Sequence, residues 1–251
     1  MTQRVSLDGL RPLMEAVDRR RPLTVLTGAG ISAESGVPTF RGDGGYWKAH
    51  SAQELATPEA FARDPKLVWS FYQHRRRIVA ERGPNAGHFA LVDLERRRSD
   101  VWVITQNVDG FHQDAGSLNL VEMHGSLWRV RCISCGRSVE NRDLDFEDPP
   151  ECERCGGLMR PAVVWFGESF RPEVLSEIDS LLARGGVMLV VGTSGQVAPA
   201  AFFARIARSR GATTVEVNPD GTVAESDMDY VVREPAGKAL PTLLMTPKLE
   251  G

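Results

Sequence analysis

The chain has 251 residues, 42% of them hydrophobic and 25% charged, with 30 Lys and Arg against 33 Asp and Glu. A net charge of −3 excludes a strongly basic nucleic-acid binder and an acidic disordered chain, while the length suits one sizeable domain or a large and a small lobe. No apolar run is long enough to span a bilayer, and Asp8, Glu15 and Asp18 interrupt the first twenty residues where a signal peptide would be continuously apolar, so the expected setting is cytoplasmic, away from membranes and nucleic acid.

Met1 to Arg20 reads as a first helix. Leu23–Thr27 is a short strand-like run that ends in Gly28-Ala29-Gly30-Ile31-Ser32-Ala33. That turn fits G-x-G-x-x-A in its strand-to-helix context, where glycines let backbone approach a pyrophosphate. The competing reading is a glycine turn with no ligand. A dehydrogenase would soon add a second strand ending in a ribose-binding acid. Instead Ser35 to Gly45 is a glycine-rich loop containing Phe40 and Arg41.

From about Gly42 to Pro84 the pattern is mostly helical. Within it, Leu67–Val79 carries Val68, Phe71, Tyr72 and Val79 at helical 3–4 spacing. Arg75 lies on the same stripe, three residues after Tyr72. A buried arginine needs a partner. The ordinary partner is a protein carboxylate, or water reached by snorkelling; the sharper alternative is a substrate.

Ala86–Arg98 reads as a helix, and Val101–Thr105 as a strand followed by Gln106-Asn107-Val108-Asp109. These amides and the carboxylate suit ribose hydroxyls or a carboxamide, although an Asx-type turn closing a strand has the same composition. A further short strand runs to His124-Gly125. A histidine at a strand end is more often structural. Its place beside the other polar turns makes His124 a candidate base. His50, His74, His88 and His112 fall in loop or helical segments and are given surface or packing roles, with His112 the least certain of them.

Cys132-x-x-Cys135 and Cys152-x-x-Cys155 are the only cysteines, and they form two matched pairs. The spacing is that of a zinc ribbon, in which four thiolates close a tetrahedral site and leave no open position. Redox dithiols or free core cysteines would not require two matched pairs. The implied zinc is therefore structural.

Downstream, Glu173–Ala183 reads as a helix, and Val187–Val191 as a strand ending in Gly192-Thr193-Ser194. Pro199 marks the start of a helix over Ala200–Arg210, and Thr214–Val217 is a strand before Asn218-Pro219. Strands alternating with helices predict an α/β fold with a Rossmann-like doubly wound parallel sheet. The polar turns all follow strands, and should converge at the carboxyl edge of that sheet. The predicted large lobe comprises residues 1–41, 85–126 and 165–251. The predicted small lobe comprises two insertions, a helical one at 42–84 and the zinc ribbon at 127–164.

The glycine turn with Pro38-Thr39-Phe40-Arg41, Gln106-Asn107-Val108-Asp109, His124-Gly125, the four cysteines, Val164-Trp165-Phe166-Gly167-Glu168, Gly192-Thr193-Ser194 and Asn218-Pro219 occur in one order. Together they resemble the sirtuins, NAD-dependent protein lysine deacylases. The resemblance implies that Gly28, Ala29, Gly30 and Ser32 line the pyrophosphate and that Ala33, Phe40 and Arg41 belong to the cofactor loop. It places Asn107, Asp109 and Gln106 at the nicotinamide and its ribose, with Asn107 in the catalytic group. Gly192, Thr193, Ser194, Asn218 and Ala236 would hold the adenosine half. Val164, Phe166, Gly167 and Glu168 would pair with the substrate peptide as an added strand.

By the same resemblance the chemistry consumes NAD. The acyl oxygen of a modified lysine attacks C1′ of the nicotinamide ribose and nicotinamide leaves. His124 accepts a proton through the ribose hydroxyls so that the 2′-hydroxyl attacks the resulting imidate, and water then releases free lysine and O-acyl-ADP-ribose. Tyr72-x-x-Arg75 resembles the pair that holds a succinyl or malonyl carboxylate in class III members of the family. The expectation is thus desuccinylase and demalonylase activity with some deacetylase activity, in a monomer acting on acyl-lysine proteins or peptides. The alternatives are a plain deacetylase and a mono-ADP-ribosyltransferase. An NAD-dependent oxidoreductase and a nucleotide-binding module without catalysis are the further rivals.

Overall fold

A computed structural model describes residues 2–18, 21–38, 46–47, 50–146 and 149–244. β1 (Gln3–Arg4) and α1 (Leu7–Asp18) precede β2 (Leu23–Thr27), all five residues of which are buried. The glycine turn after β2 is itself helical, forming α2 (Ala29–Ala33). β3 (Tyr46–Trp47) and β4 (His50–Ser51) pair antiparallel.

Three helices follow, each started by a side-chain cap. Ser51 and Glu54 form a reciprocal capping box at α3 (Ala52–Leu55). Thr57 caps α4 (Pro58–Arg63), and Asp64 caps α5 (Pro65–Ala80). Both of these place proline at the first helical position, where its missing N–H costs no intrahelical bond. Asn85 caps α6 (Ala86–Arg97).

Then come β5 (Val101–Thr105), α7 (Phe111–Ala115), β6 (Leu120–Glu122), β7 (Gly125–Cys132), β8 (Ser138–Glu140) and β9 (Met159–Val163). The chain continues through α8 (Pro172–Leu182) and β10 (Val187–Val191). The helix expected over Ala200–Arg210 begins as a 3-10 turn at Ala200–Phe202 and becomes regular only in α9 (Phe203–Ser209). β11 (Thr213–Val217), β12 (Tyr230–Val232) and α10 (Ala236–Leu244) complete the described chain.

Seven strands form one sheet in the order β1-β12-β11-β10-β2-β5-β6, and every pair in it is parallel. Side-chain alternation along the strands decides what covers each face. Val187, Leu189 and Val191 pack with Leu10, Leu91 and Leu240, from α1, α6 and α10. Met188 and Val190 pack with Ile178, Leu182 and Phe203, from α8 and α9. Helices therefore cover both faces, as parallel strands buried on both sides require.

From β2 the chain moves outward through β5 to β6, and it returns on the other side of β2 through β10, β11 and β12. The strand order thus reverses between β2 and β10. In open α/β sheets a ligand crevice lies outside the carboxyl ends of the strands at such a point.

A third cluster has a different composition. Tyr72, Trp69, Phe61, Phe111, Trp128 and Trp165 pack there with Cys132 and Cys152. It joins α3, α4 and α5 to the three-stranded antiparallel sheet β8-β7-β9. Trp69 Nε1 donates to the Met159 carbonyl at 2.9 Å, fastening α5 to β9.

Candidate functional site

The two glycines of the first turn are set by close backbone approach. A Cβ on Gly30 would lie 2.6 Å from Gly192 Cα, and one on Gly28 would lie 2.8 Å from the Gly192 carbonyl oxygen. Gly28 N–H donates to Val191 O and Gly30 N–H to Gly192 O. These N–H groups are taken up in joining the β2 and β10 turns, so the glycines contribute room rather than donors. Gly28 and Gly30 thereby meet Gly192 and Thr193 across the switch point, with Ala29, Ser32 and Ala33 on the same short helix.

The β11 turn joins them. Asn218 Nδ2 donates to Thr193 O at 2.8 Å, which holds the β10 and β11 loops together. Ser194 follows Thr193 in that loop, and Ala236 begins α10 nearby. Gly237, next to Ala236, donates its N–H to Glu34 at the end of α2. Phe40 and Arg41 lie outside the described residues.

Beyond β5 the polar turn forms a connected network. Ser32 Oγ donates to Asp109 Oδ2 at 2.8 Å. Asn107 Nδ2 donates to Gly28 O at 3.1 Å and to Ser32 Oγ at 3.2 Å, leaving Oδ1 as the acceptor end of that amide. Phe111 N–H donates to Asp109 Oδ1 at 3.0 Å. Burial pushes the Asp109 carboxyl up, against the pull of the Phe111 and Ser32 hydrogen bonds.

His124 sits in the short link between β6 and β7. Its Nδ1 lies 2.9 Å from the Gln106 carbonyl oxygen, an atom that only accepts. Nδ1 must therefore carry the proton, and Nε2 is left with its lone pair. Burial lowers the His124 pKa, partly offset by that carbonyl, so the ring is neutral at neutral pH. The following Gly125 has φ +77, and a side chain there would collide with the Ala162 carbonyl. Only glycine lets β7 leave His124 directly into its pairing with β9.

The four cysteines also converge. Their sulfurs all lie within 4.8 Å of one another, with Cys132–Cys155 at 3.6 Å and Cys135–Cys152 at 3.7 Å. A tetrahedral zinc with Zn–S near 2.3 Å separates its sulfurs by about 3.8 Å. A disulfide would bring two of them to about 2.05 Å. The donor set and its geometry fit one zinc ion, and four thiolates would saturate it.

The small cluster is bound to the crevice by hydrogen bonds to backbone carbonyls. Trp128 Nε1 donates to Asp109 O at 2.6 Å, and Leu127 N–H to Val108 O at 2.9 Å. Val164 N–H donates to His124 O and Phe166 N–H to Ala56 O, both at 2.9 Å. Segment 164–168 is thus tied at its start to the residue named as base. On α5, Tyr72 and Arg75 are both buried. The Arg75 guanidinium lies 5.9 Å from the Phe71 ring centroid, within electrostatic reach of Tyr72 and Asp109. Being 8% exposed, it does not snorkel to water.

Composition gave no sign of several groups now seen at the site. His112 is buried, with Nε2 3.0 Å from Thr27 Oγ1, and Thr27 also bonds Thr105 at 2.8 Å. His88 packs against it, with ring centroids 4.9 Å apart. Both are core histidines, and burial lowers their pKa values to about 4 for His88 and about 3 for His112. Arg160 forms two bonds to Glu168, at 2.5 and 2.9 Å. Only the proximity of an acid to an arginine eight residues upstream could have suggested that pair.

A doubly wound α/β fold with a polar crevice at its switch point and an attached four-cysteine module defines the structural class. The profile of the Sir2 family matches residues 28–199. NAD-dependent protein deacylase 2 of Pyrobaculum aerophilum is 51% identical over 225 residues, covering 89% of this chain and 90% of that protein. The mitochondrial NAD-dependent protein deacylase sirtuin-5 of Canis lupus familiaris is 44% identical, covering 90% and 82%. A Sir2 homologue mutant solved in complex with 2′-O-acetyl-ADP-ribose superimposes with a TM-score of 0.88 at 42% identity, covering 95% of this chain and 99% of that one. The chain belongs to the Sir2 family.

Proposed function

We propose that this protein is an NAD-dependent protein-lysine deacylase that favours acyl groups ending in a carboxylate, succinyl and malonyl, and also removes acetyl. Family membership supports NAD-dependent deacylation, as do relatives named for that activity. NAD binds at the carboxyl edge of the sheet, over the β2 and β10 turns that the glycines let close on each other. It supplies the ribose carbon that accepts the acyl oxygen, and nicotinamide departs. Asn107, Asp109 and Gln106 orient the nicotinamide half. Thr193, Ser194, Asn218 and Ala236 hold the adenosine half.

His124 acts as base through Nε2, the nitrogen freed by the bond from Nδ1 to Gln106. Its lowered pKa keeps that lone pair available at neutral pH. The acyl-lysine peptide lies along Val164, Phe166, Gly167 and Glu168. The N–H groups of Val164, Trp165, Phe166 and Glu168 already have partners within the chain. Pairing therefore falls to the carbonyls of Val164 and Phe166 and to the N–H of Gly167. The zinc holds the small lobe together and takes no part in the reaction.

The acyl preference rests on one observation. Tyr72 and Arg75 lie three residues apart on α5, both buried, with Arg75 in electrostatic reach of Asp109 beside the nicotinamide half. A guanidinium grips a carboxylate with two parallel bonds, and a phenol adds a third. Arg75 also has an interaction within the chain, which favours a plain deacetylase as the second reading.

Steady-state kinetics of Arg75→Met separate the two. The preferred reading expects KM for succinyl-lysine peptide to rise roughly 10- to 150-fold, the worth of a charge-assisted contact, with a much smaller change for acetyl-lysine peptide. Equal changes for both peptides leave a plain deacetylase in which Arg75 is structural.

A further inference from the structure

A phenol hydroxyl both donates and accepts, and it helps to recognise a carboxylate only when its proton points at the substrate. Burial pushes the Tyr72 pKa up to about 12, so the phenol keeps its proton. The direction of that proton is set by a neighbour. Trp165 Nε1 lies 2.8 Å from Tyr72 Oη. An indole N–H can only donate, so Tyr72 accepts from Trp165 and its own O–H is directed elsewhere.

Trp165 is in turn held on several sides. The Arg160 guanidinium lies 3.2 Å from the centre of its ring, and the Phe61 ring packs 5.3 Å away. Glu168 accepts the Trp165 backbone N–H at 2.9 Å, and the same carboxylate is gripped at both oxygens by Arg160. Arg160 also donates to the Val163 carbonyl at 2.9 Å. The indole is therefore locked to the segment that runs beside the peptide, and its N–H spans from that segment to α5.

We propose that Trp165 is a specificity-positioning residue, which holds the Tyr72 hydroxyl as a donor for the carboxylate of a succinyl or malonyl group. This inference rests on the reading of Tyr72 and Arg75 as the acyl pair. A carboxylate accepts the directed proton, whereas the methyl of an acetyl group has no acceptor for it. Trp165 thus acts through Tyr72 and touches no reacting atom. Arg160 and Glu168 support it at one remove.

The test is a double-mutant cycle on the zinc-loaded enzyme. Trp165→Phe should raise the ratio of KM for succinyl-lysine to KM for acetyl-lysine peptide by roughly 3- to 10-fold, the worth of one oriented neutral hydrogen bond. In a Tyr72→Phe background the same substitution should leave the ratio unchanged, since the hydroxyl it orients is gone. Replacing Trp165 with 3-benzothienylalanine, which keeps the ring but substitutes sulfur for N–H, controls for lost packing and should behave as Trp165→Phe does. A ratio unchanged by either replacement, or an equal shift with and without the Tyr72 hydroxyl, overturns the positioning role. If Arg75→Met and Tyr72→Phe are themselves blind to the acyl group, the acyl-pair reading fails and this inference falls with it.

Discussion

The crevice and the cysteine lobe meet through a few hydrogen bonds to backbone carbonyls, yet they are built on different principles. At the sheet edge, apolar strands of five residues carry polar turns to one line, and two glycines let those turns touch. Its buried histidines are neutral. In the small lobe, an aromatic core is supplemented by single polar groups: four thiols, Arg76 and Arg160. Arg76 is fully buried and donates to Leu127 O, Asn141 Oδ1 and Asp143 O. Both regions have an apolar core, but the small lobe adds a four-thiolate site and the buried Arg76 and Arg160 to it, so the two should break under different stresses.

Metal loss is the largest expected effect. Cys132→Ala, or stripping the metal with a chelator, should unfold the small lobe and abolish turnover, because binding free energies on the order of 10 kcal/mol are coupled to folding at such sites. The parallel sheet should keep most of its circular-dichroism signal. A Cys132→Ala protein that melts and turns over normally would show that the cysteines do not hold the lobe.

Acid should act on the other region. His88 and His112 remain neutral in the fold down to about 4 and about 3, against an ordinary histidine value of 6.5. Between pH 6.5 and about 4 the unfolded chain takes up protons that the folded chain refuses. Stability present above pH 6.5 is therefore lost as pH falls, by up to about 1.4 kcal/mol per pH unit for each histidine. Denaturant midpoints measured from pH 7.5 to 5 should fall steadily in protein with its zinc retained. A flat profile would remove the distinction between the lobes.

The two adjacent arginines of α5 sharpen the contrast on a finer scale. Arg76→Met removes three donor contacts from buried or partly buried acceptors, and should cost about 2–4 kcal/mol in chemical denaturation. It should change the succinyl-to-acetyl preference little, whereas Arg75→Met should do the reverse. Similar stability losses and similar kinetics from both would mean that helix α5 holds no substrate.

This division also explains what the sequence made legible. Leu23–Thr27, Val101–Thr105, Val187–Val191 and Thr214–Val217 announce themselves as short strand-like runs, and the cysteine pairs by fixed spacing. The edge strand Gln3–Arg4 and its neighbour Tyr230–Val232 are too short to carry a pattern, and they exist only by pairing with each other and with β11. The hydrogen bond from Trp165 to Tyr72 joins residues 93 apart in sequence, and no periodicity encodes it. The same holds for the Thr27–His112 contact, which makes a core residue of a histidine that composition alone left ambiguous. The glycine turn was visible as a turn, but its packing against Gly192 was not, because the two segments are far apart in the chain and adjacent only across the switch point.

The central claim is that the neutral histidine at the crevice drives NAD-dependent removal of an acidic acyl group. A single-turnover reaction of the zinc-loaded protein with NAD and a succinyl-lysine peptide, followed by mass spectrometry, tests it most directly. The account predicts nicotinamide, unmodified lysine peptide and O-succinyl-ADP-ribose in equal amounts. It also predicts that His124→Ala slows their formation by a factor on the order of 100 or more while NAD still binds. ADP-ribose left on the peptide, or a His124→Ala protein that forms the same products at the normal rate, would contradict it.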